Sequence, residues 1–568
     1  MTLTQANVLG AVTVASGAGA VSLTENDAIA LAAITRTDGD LTLNAGTNAI
    51  TQSGAIAIDD GAASLTGGAM TLTQANVLGA VTVASGAGAV SLTENGAIDF
   101  GTSSVVGDLT ANATTGNITQ TGALTVGGAS SFTTSADDAV ITLTQASNAL
   151  SGAVTLVSTD TDTDNVEAVQ LTNNVATGTI LGGSTESGTF TVVSTLGGIS
   201  QTGALDVDGV SSFTTSADDA LITLTQASNA LSGAVTLVST DTDTDNVEAV
   251  QLTNSIATVL AANTESGTLT VISGGDITQT GALIVAGDIT LTTNSNNGLI
   301  NLGSLQQSAG DLVLTTHGTG LATIVNNAAI DFGTSAVGGA LTATASTGNI
   351  TQTGALTVGG TSSFTTSADD AAITLTQANN ALSGAVTLMS TDTDTDNAEA
   401  VQLTNNVATG TILGGSTESG TLTVVSTLGD ITQTGALDVD GVSSFTTSAD
   451  DALITLTEAN NLAGAVTLVS TDTDADNAEA VQLTNSSATV LAANTESGSL
   501  TVISGGDITQ AGALSVGGTS SFTAGANAIT LSDASNDFTG AVSLSNSGTN
   551  DVSLTDANAL DLGTVGVG

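Results

Sequence analysis

The chain has 568 residues, 53 Asp and Glu against a single Lys or Arg, and a formal net charge of −52, a balance that makes nucleic acid and anionic membranes poor partners. Pro, Cys, Trp and Tyr are absent and only 10% of the residues are charged. This composition excludes a disulfide scaffold, a thiolate metal site, a coiled coil built on Glu and Lys, and aromatic platforms for bases or sugars.

Disorder does not fit either, because 40% of the residues are hydrophobic and the mean hydropathy is +0.34, whereas disordered chains are poor in apolar residues. The apolar residues come in short alternating runs, and none approaches the ~18 to 20 continuous positions of a membrane span. Residues 1–5 lack the basic flank and apolar segment of a signal peptide.

Taken in chain order, the sequence is repeats within repeats. Residues 1–26 recur unchanged at 70–95, an offset of 69 residues. AIDFGTS at Ala97 and GNITQTGALTVGG at Gly116 open a longer unit, which returns at Ala329 and Gly348 with an offset of 232. Within it, 130–173 recurs at 211–254, an offset of 81, with Val140 replaced by Leu221 as the only difference. These offsets divide the chain into lead-in coils over 1–96, a first super-repeat over 97–328, a second over 329–559, and the start of a third at 560–568.

A finer period runs beneath. LTVISGGDITQTGALIVAGD (269–288), ITLTTNSNNGLINLGSLQQSAGD (289–311) and FTTSADDAAITLTQANNALSGA (364–385) each restart an alternation of Thr, Val, Leu and Ile after a cluster of Gly, Asn, Asp or Ser. Alternation with period two reads as β-strand. Strands this short bury nothing alone, so neighbouring units of about 20 to 23 residues must stack on one another. The predicted fold is all-β: a parallel β-solenoid of roughly 25 coils rising ~4.8 Å each, a rod on the order of 120 Å long. Missing Pro fits a ladder that uses nearly every N–H, and scarce charge fits coils that would set like charges ~5 Å apart. A tandem array of β-sandwiches is the competing architecture, and the lack of Trp, Tyr and linker Pro speaks against it.

Neither end reads as a capping coil: Met1 matches the internal Met70, and 559–564 restarts the unit begun at 329–334. The expectation is a slice of a longer array, with neighbouring solenoid segments or further copies of the chain as end-to-end partners.

The runs GDITQTGALIVAGD, SSFTAGANAITLSDASNDFTGAVSLSNSG (520–548) and NDVSLTDANALDLGT (550–564) resemble the repeat regions of very large bacterial surface exoproteins, the filamentous haemagglutinin-like group exported by two-partner secretion. The resemblance implies a right-handed parallel β-helix, an extracellular or cell-surface location, and a role in adhesion, aggregation or biofilm through a surface receptor it does not name. The secretion domain of that group has no counterpart in this sequence.

Catalytic constellations are hard to assemble from one Arg (Arg36), one His (His317) and no Lys, Cys or Tyr. Arg36 in ITRTDGD reads as solvated near Asp38, and His317 in LTTHGTG as an exposed turn residue. The pairs Asp137-Asp138, Asp218-Asp219, Asp369-Asp370 and Asp450-Asp451 suggest the two acids of a glycosidase. Neighbours on a strand point to opposite faces, however, and fourfold recurrence in the context SADD reads as a turn. A β-helix enzyme acting on polysaccharide is the alternative from another class, and Thr-rich faces raise ice binding more remotely. The primary reading is a structural and adhesive shaft without catalysis.

One recurring motif carries chemistry. Asp160, Asp162, Asp164 and Glu167 reappear as Asp241, Asp243, Asp245 and Glu248, as Asp392, Asp394, Asp396 and Glu399, and as Asp472, Asp474, Asp476 and Glu479. The third copy lies in a 35-residue segment, 386–420, where neighbouring units have about 22, so the surplus should leave the coil as a loop. In an extended stretch the three Asp fall on one face ~6.6 Å apart, with the Glu folding back towards them. Calcium takes six to eight oxygen ligands from such loops, and the partial match to a helix-loop-helix calcium motif predicts an affinity on the order of 0.1 to 1 mM.

Overall fold

The computed structural model describes all residues except 160–165, 187, 244, 392–398, 419, 472, 473, 475 and 477. Every regular element among the described residues is a β-strand, and the strands form a parallel β-solenoid with coils of about 21 residues. Two compact units, Met1–Gly287 and Asp288–Gly568, divide the chain.

In the first unit the register makes the coil visible. Val90 pairs in parallel with Leu109 and Leu109 with Ser130, steps of 19 and 21 residues. Each coil alternates one continuous strand, such as Leu109–Ala113, with a bent face made of two short strands, such as Ile118–Gln120 and Leu124–Val126. The period-two pattern decides which side chains enter: in Ser130–Thr134, Ser130, Phe132 and Thr134 are buried and the residues between them face outwards. Stacking then sets Ala111, Phe132 and Leu156 over one another in consecutive coils. All nine Phe of the chain are buried. Phe100 meets Phe132 edge-on with ring centroids 6.3 Å apart. Each such side chain contributes ~1.5 to 3 kcal/mol by leaving water, so the coil needs no larger aromatic.

In several coils the bend between the two short strands of a bent face is closed by a buried amide. Asn148 donates to Gln120 Oε1 (2.8 Å), Leu143 O (3.1 Å) and Thr172 O (3.1 Å). Its Oδ1 accepts from Gln120 Nε2 (2.8 Å) and from the Leu124 N–H (2.9 Å). Asn76, Asn229, Asn380, Asn460 and Asn536 occupy the same position and are equally buried. The amide supplies partners to backbone groups that the bend removes from the ladder.

Continuous strands do not keep to one sheet. From Val90–Glu94 to Ala153–Val157 they stack in one sheet of the unit, and from Ala168–Asn173 to Ala234–Val238 in the other. The exchange happens where two continuous strands follow each other with no bent face between them, as Ala153–Val157 and Ala168–Asn173 do. A second exchange lies between Ala234–Val238 and Val250–Asn254. The surplus residues of the acidic motif enter at these junctions: Ile222 pairs with Val250, a step of 28, where Ile199 to Ile222 is 23 and Val250 to Leu269 is 19.

Asp288–Gly568 is built in the same way. Ile289 pairs with Leu312, the 23-residue coil read from the sequence, while Ser362 pairs with Val386, a step of 24 instead of 22. The 35-residue segment needs correction. Val386 pairs with Leu413, a step of 27, so 386–420 is one enlarged coil plus the start of the next.

Arg36 also departs from expectation. It is buried, and its guanidinium donates to the carbonyl oxygens of Asp38 and Gly39, so the turn ITRTDGD folds over its only cation. His317 is exposed at a strand end as expected, with Nδ1 2.7 Å from Thr293 O.

Candidate metal site

The second acidic loop shows how the motif folds. Asp241 Oδ1 accepts the Asp243 N–H at 2.8 Å, Asp243 Oδ1 the Asp245 N–H at 3.2 Å, and Asp245 Oδ1 the Val247 N–H at 3.2 Å. Each Asp thus closes a turn over the residue two places on, the usual behaviour of this side chain. Asp241 Oδ2 also accepts the Asn246 N–H at 3.1 Å, and Asn246 takes a left-handed φ of 59°. The stretch is therefore curled instead of extended.

Curling divides the carboxylates. Asp241 and Asp243 gather with Asp218, and Asp245 gathers with Asp219 and Glu248; in each trio the oxygens lie within 4.8 Å of one another. The expected single convergence of three Asp and one Glu is replaced by two trios, and each draws an Asp from the SADD turn of the preceding coil. Asp218 Oδ1 reaches across to the Thr242 N–H (2.8 Å) and hydroxyl (2.7 Å). The N–H of Asp245 draws Asp243 towards its charged form, but dehydration and the charges of Asp218, Asp245 and Asp241 prevail and shift it upwards.

Glu248 is wholly buried beneath the loop. Its Oε1 accepts the Asp219 N–H at 3.3 Å, and its Oε2 has no hydrogen-bond partner. Asp219 holds a left-handed φ of 55°, which aims that N–H inwards. The fourth copy repeats this: Asp451, Asp476 and Glu479 form a trio within 4.8 Å, Asp451 N–H donates to Glu479 Oε1 at 3.3 Å, and Glu479 Oε2 is buried and unpartnered. There Asp474 Oδ1 accepts the Asp476 N–H at 3.2 Å.

In the first copy Glu167 is buried, Oε1 takes the Asp138 N–H at 3.3 Å, and Oε2 is unpartnered. In the third, Glu399 is buried with neither oxygen partnered. Asp160, Asp162, Asp164, Asp392, Asp394, Asp396 and Asp472 lie outside the described residues.

The SADD pairs were legible as turns, and turns they are, but their partnership with the acidic loops was missed. A signal existed: Asp138 precedes Asp160, Asp219 precedes Asp241 and Asp370 precedes Asp392 by 22 residues each, and Asp451 precedes Asp472 by 21. That interval is one coil, which brings the two motifs together in a stack.

A second set of buried glutamates lies elsewhere in the coils. Burial pushes Glu94 up to about 8, against the Leu78 N–H that favours its charged form. Burial likewise raises Glu265 to about 8 against a hydrogen bond from Ser239, and Glu496 to about 8. Glu186 rises to about 7: burial dominates, bonds from Ser158 and Gly188 oppose it, and the charge of Glu167 adds to it. These four are neutral acids under mildly acidic conditions.

Searches of curated proteins and of solved structures found no significant match. A family model described as repeats of unknown function (DUF5649) matches residues 18–85, 87–157, 166–238, 247–316, 318–389, 398–469 and 478–545. The repeat boundaries fall on the junctions where continuous strands change sheet. The repeat over 166–238 makes seven passes between the sheets, four by continuous strands and three by bent faces. Because seven is odd, the next repeat starts on the other sheet. Four of the gaps between matched segments, 158–165, 239–246, 390–397 and 470–477, hold the acidic loops, and the sites are therefore joints between repeats. With seven copies over most of its length, the chain belongs to the DUF5649 family of repeats.

Proposed function

We propose that this chain is a structural and adhesive shaft segment of a secreted bacterial surface fibre, working outside the cell and without catalysis. The observation that carries the reading is repetition. Buried Phe, corner Asn and joint Glu recur from repeat to repeat, as a spacer requires, whereas a substrate cleft needs polar groups that occur once. The two unrepeated bases face backbone carbonyls: Arg36 those of its own turn, and His317 that of Thr293 in the preceding coil. The resemblance to filamentous haemagglutinin-like repeat regions supports the same assignment, with other copies of the chain and a surface receptor as partners. No described helix is long and apolar enough to cross a membrane.

Calcium belongs to this reading. The acidic groups at the joints can hold a metal ion, and calcium is the divalent ion abundant outside cells that prefers carboxylate oxygen; weak affinity, on the order of 0.1 to 1 mM, suits an extracellular module. Display of the chain on a non-aggregating bacterial host tests the function. Cells carrying it should clump or bind epithelial cells more than cells carrying the anchor alone. Equal clumping and equal binding at matched display would overturn the adhesive role.

A further inference from the structure

We infer that the joint between consecutive repeats is a divalent-cation clamp in which the SADD turn of one coil and the buried Glu of the next repeat are ligands together with the acidic loop. This rests on the calcium part of the reading above and names its ligands. The clearest copies are Asp219, Asp245 and Glu248, and Asp451, Asp476 and Glu479, each a trio with oxygens within 4.8 Å of one another.

Acidic clusters on a surface are common, and what sets these apart is the glutamate. Glu248 and Glu479 are wholly buried, and in each one oxygen is held by a backbone N–H while the other has no partner. A carboxylate oxygen removed from water without a partner is costly. The rest of each cluster is carboxylate, and the chain's only Arg or Lys is Arg36, itself buried in another turn. A cation supplies the missing interaction. Oxygens within 4.8 Å of one another can share one cation, and calcium accepts irregular carboxylate shells at ~2.3 to 2.6 Å, whereas magnesium demands near-ideal octahedral geometry. Backbone carbonyls and water complete the shell. The two loop-bearing junctions of Met1–Gly287 join the sheets in opposite senses, so successive clamps close alternate edges of the stack.

The test is equilibrium dialysis of the full chain against calcium, beside thermal melts in calcium, magnesium or chelator. The comparison variant carries Glu248→Gln and Glu479→Gln; a second carries Asp219→Asn and Asp451→Asn, which keeps a residue tolerant of the left-handed φ. Wild type should bind calcium and melt several degrees higher with it than in chelator. Both variants should lose at least two bound ions per chain. The Gln variant should melt no lower than wild type in chelator, since it buries no charge, which separates ligand loss from misfolding. If wild type responds to calcium and the variants respond equally, the SADD and Glu ligands are wrong while calcium binding by the loops stands. If wild type binds no calcium, both fail, and an equal response to magnesium would overturn calcium as the ion.

Discussion

Replacing Asn148 by Ala tests whether the buried corner amides hold the bent faces. The substitution removes five hydrogen bonds: three donated to Gln120, Leu143 and Thr172, and two accepted from Gln120 and the Leu124 N–H. The Leu124 N–H is left buried and unpaired, which costs about 2 kcal/mol, and the other four bonds contribute ~0.5 to 1 kcal/mol each, for a total of about 4 to 6 kcal/mol. Solenoid stability is local and nearest-neighbour in character, so the loss should appear as easier opening of this corner and not as global unfolding. At about 1.4 kcal/mol per tenfold, opening becomes roughly 10³- to 10⁴-fold more frequent. Hydrogen–deuterium exchange should show it in the peptide covering 118–126, while the corresponding peptide 199–207, whose Asn229 is intact, exchanges as in wild type. Acceleration below about tenfold at 118–126, or equal acceleration in both peptides, would refute the reasoning.

Two further outcomes follow from buried groups. Glu94, Glu265 and Glu496 stay protonated to about pH 8 and Glu186 to about 7, while the unfolded chain releases these protons near the ordinary glutamate value of 4.5. The folded state therefore binds more protons between those limits, and stability must fall as pH rises from about 4.5 towards 8 and then level off. Melts in chelator should show this decline, and Glu265→Gln should raise the melting temperature at pH 8 more than at pH 5. The same change at exposed Glu458 should leave the slope intact; equal slopes in all three proteins would contradict it. Gly188→Ala would set a Cβ 1.6 Å from Glu167 O, which accepts the Thr189 N–H at 2.8 Å. Denaturant melts should show a loss of about 3 kcal/mol or more, against little change for Gly96→Ala, where nothing lies within 4 Å.

The coil was legible because its cause is local. Alternation of Thr with Val, Leu and Ile marks strands, and the clusters of Gly, Asn, Asp and Ser mark corners, so the 23-residue step at Ile289 could be read directly. The seven-pass repeat was not legible, since the exchange of sheets at each junction depends on a count of faces that composition does not carry. The acidic loop was half legible. Asp241, Asp243, Asp245 and Glu248 lie within eight residues and were found, whereas Asp218 and Asp219 join them only because one coil stacks on the next. Arg36 was misjudged because a lone cation in a Gly-Asp turn looks solvated, and only the fold shows two carbonyls converging on it.

The central claim is that coils stack in register straight through a repeat joint. Asp99 pairs with Thr119, and Ile118 with Ile141, which carries Thr119 over Thr142. Thr142 then pairs with Gln170 across the first acidic loop, Gln170 with Thr191, Thr191 with Ser212, and Ser212 with Thr236. Thr119 and Thr236 are thus five strand spacings apart, about 24 Å at ~4.8 Å each. The chain has no Cys, so Thr119→Cys and Thr236→Cys can be spin-labelled cleanly and the separation measured by pulsed dipolar spectroscopy. A single narrow distribution centred near 24 Å, widened only by the label tethers, is the predicted result. A principal distance beyond about 40 Å, as for labels on separate tandem domains, would contradict the stacked solenoid.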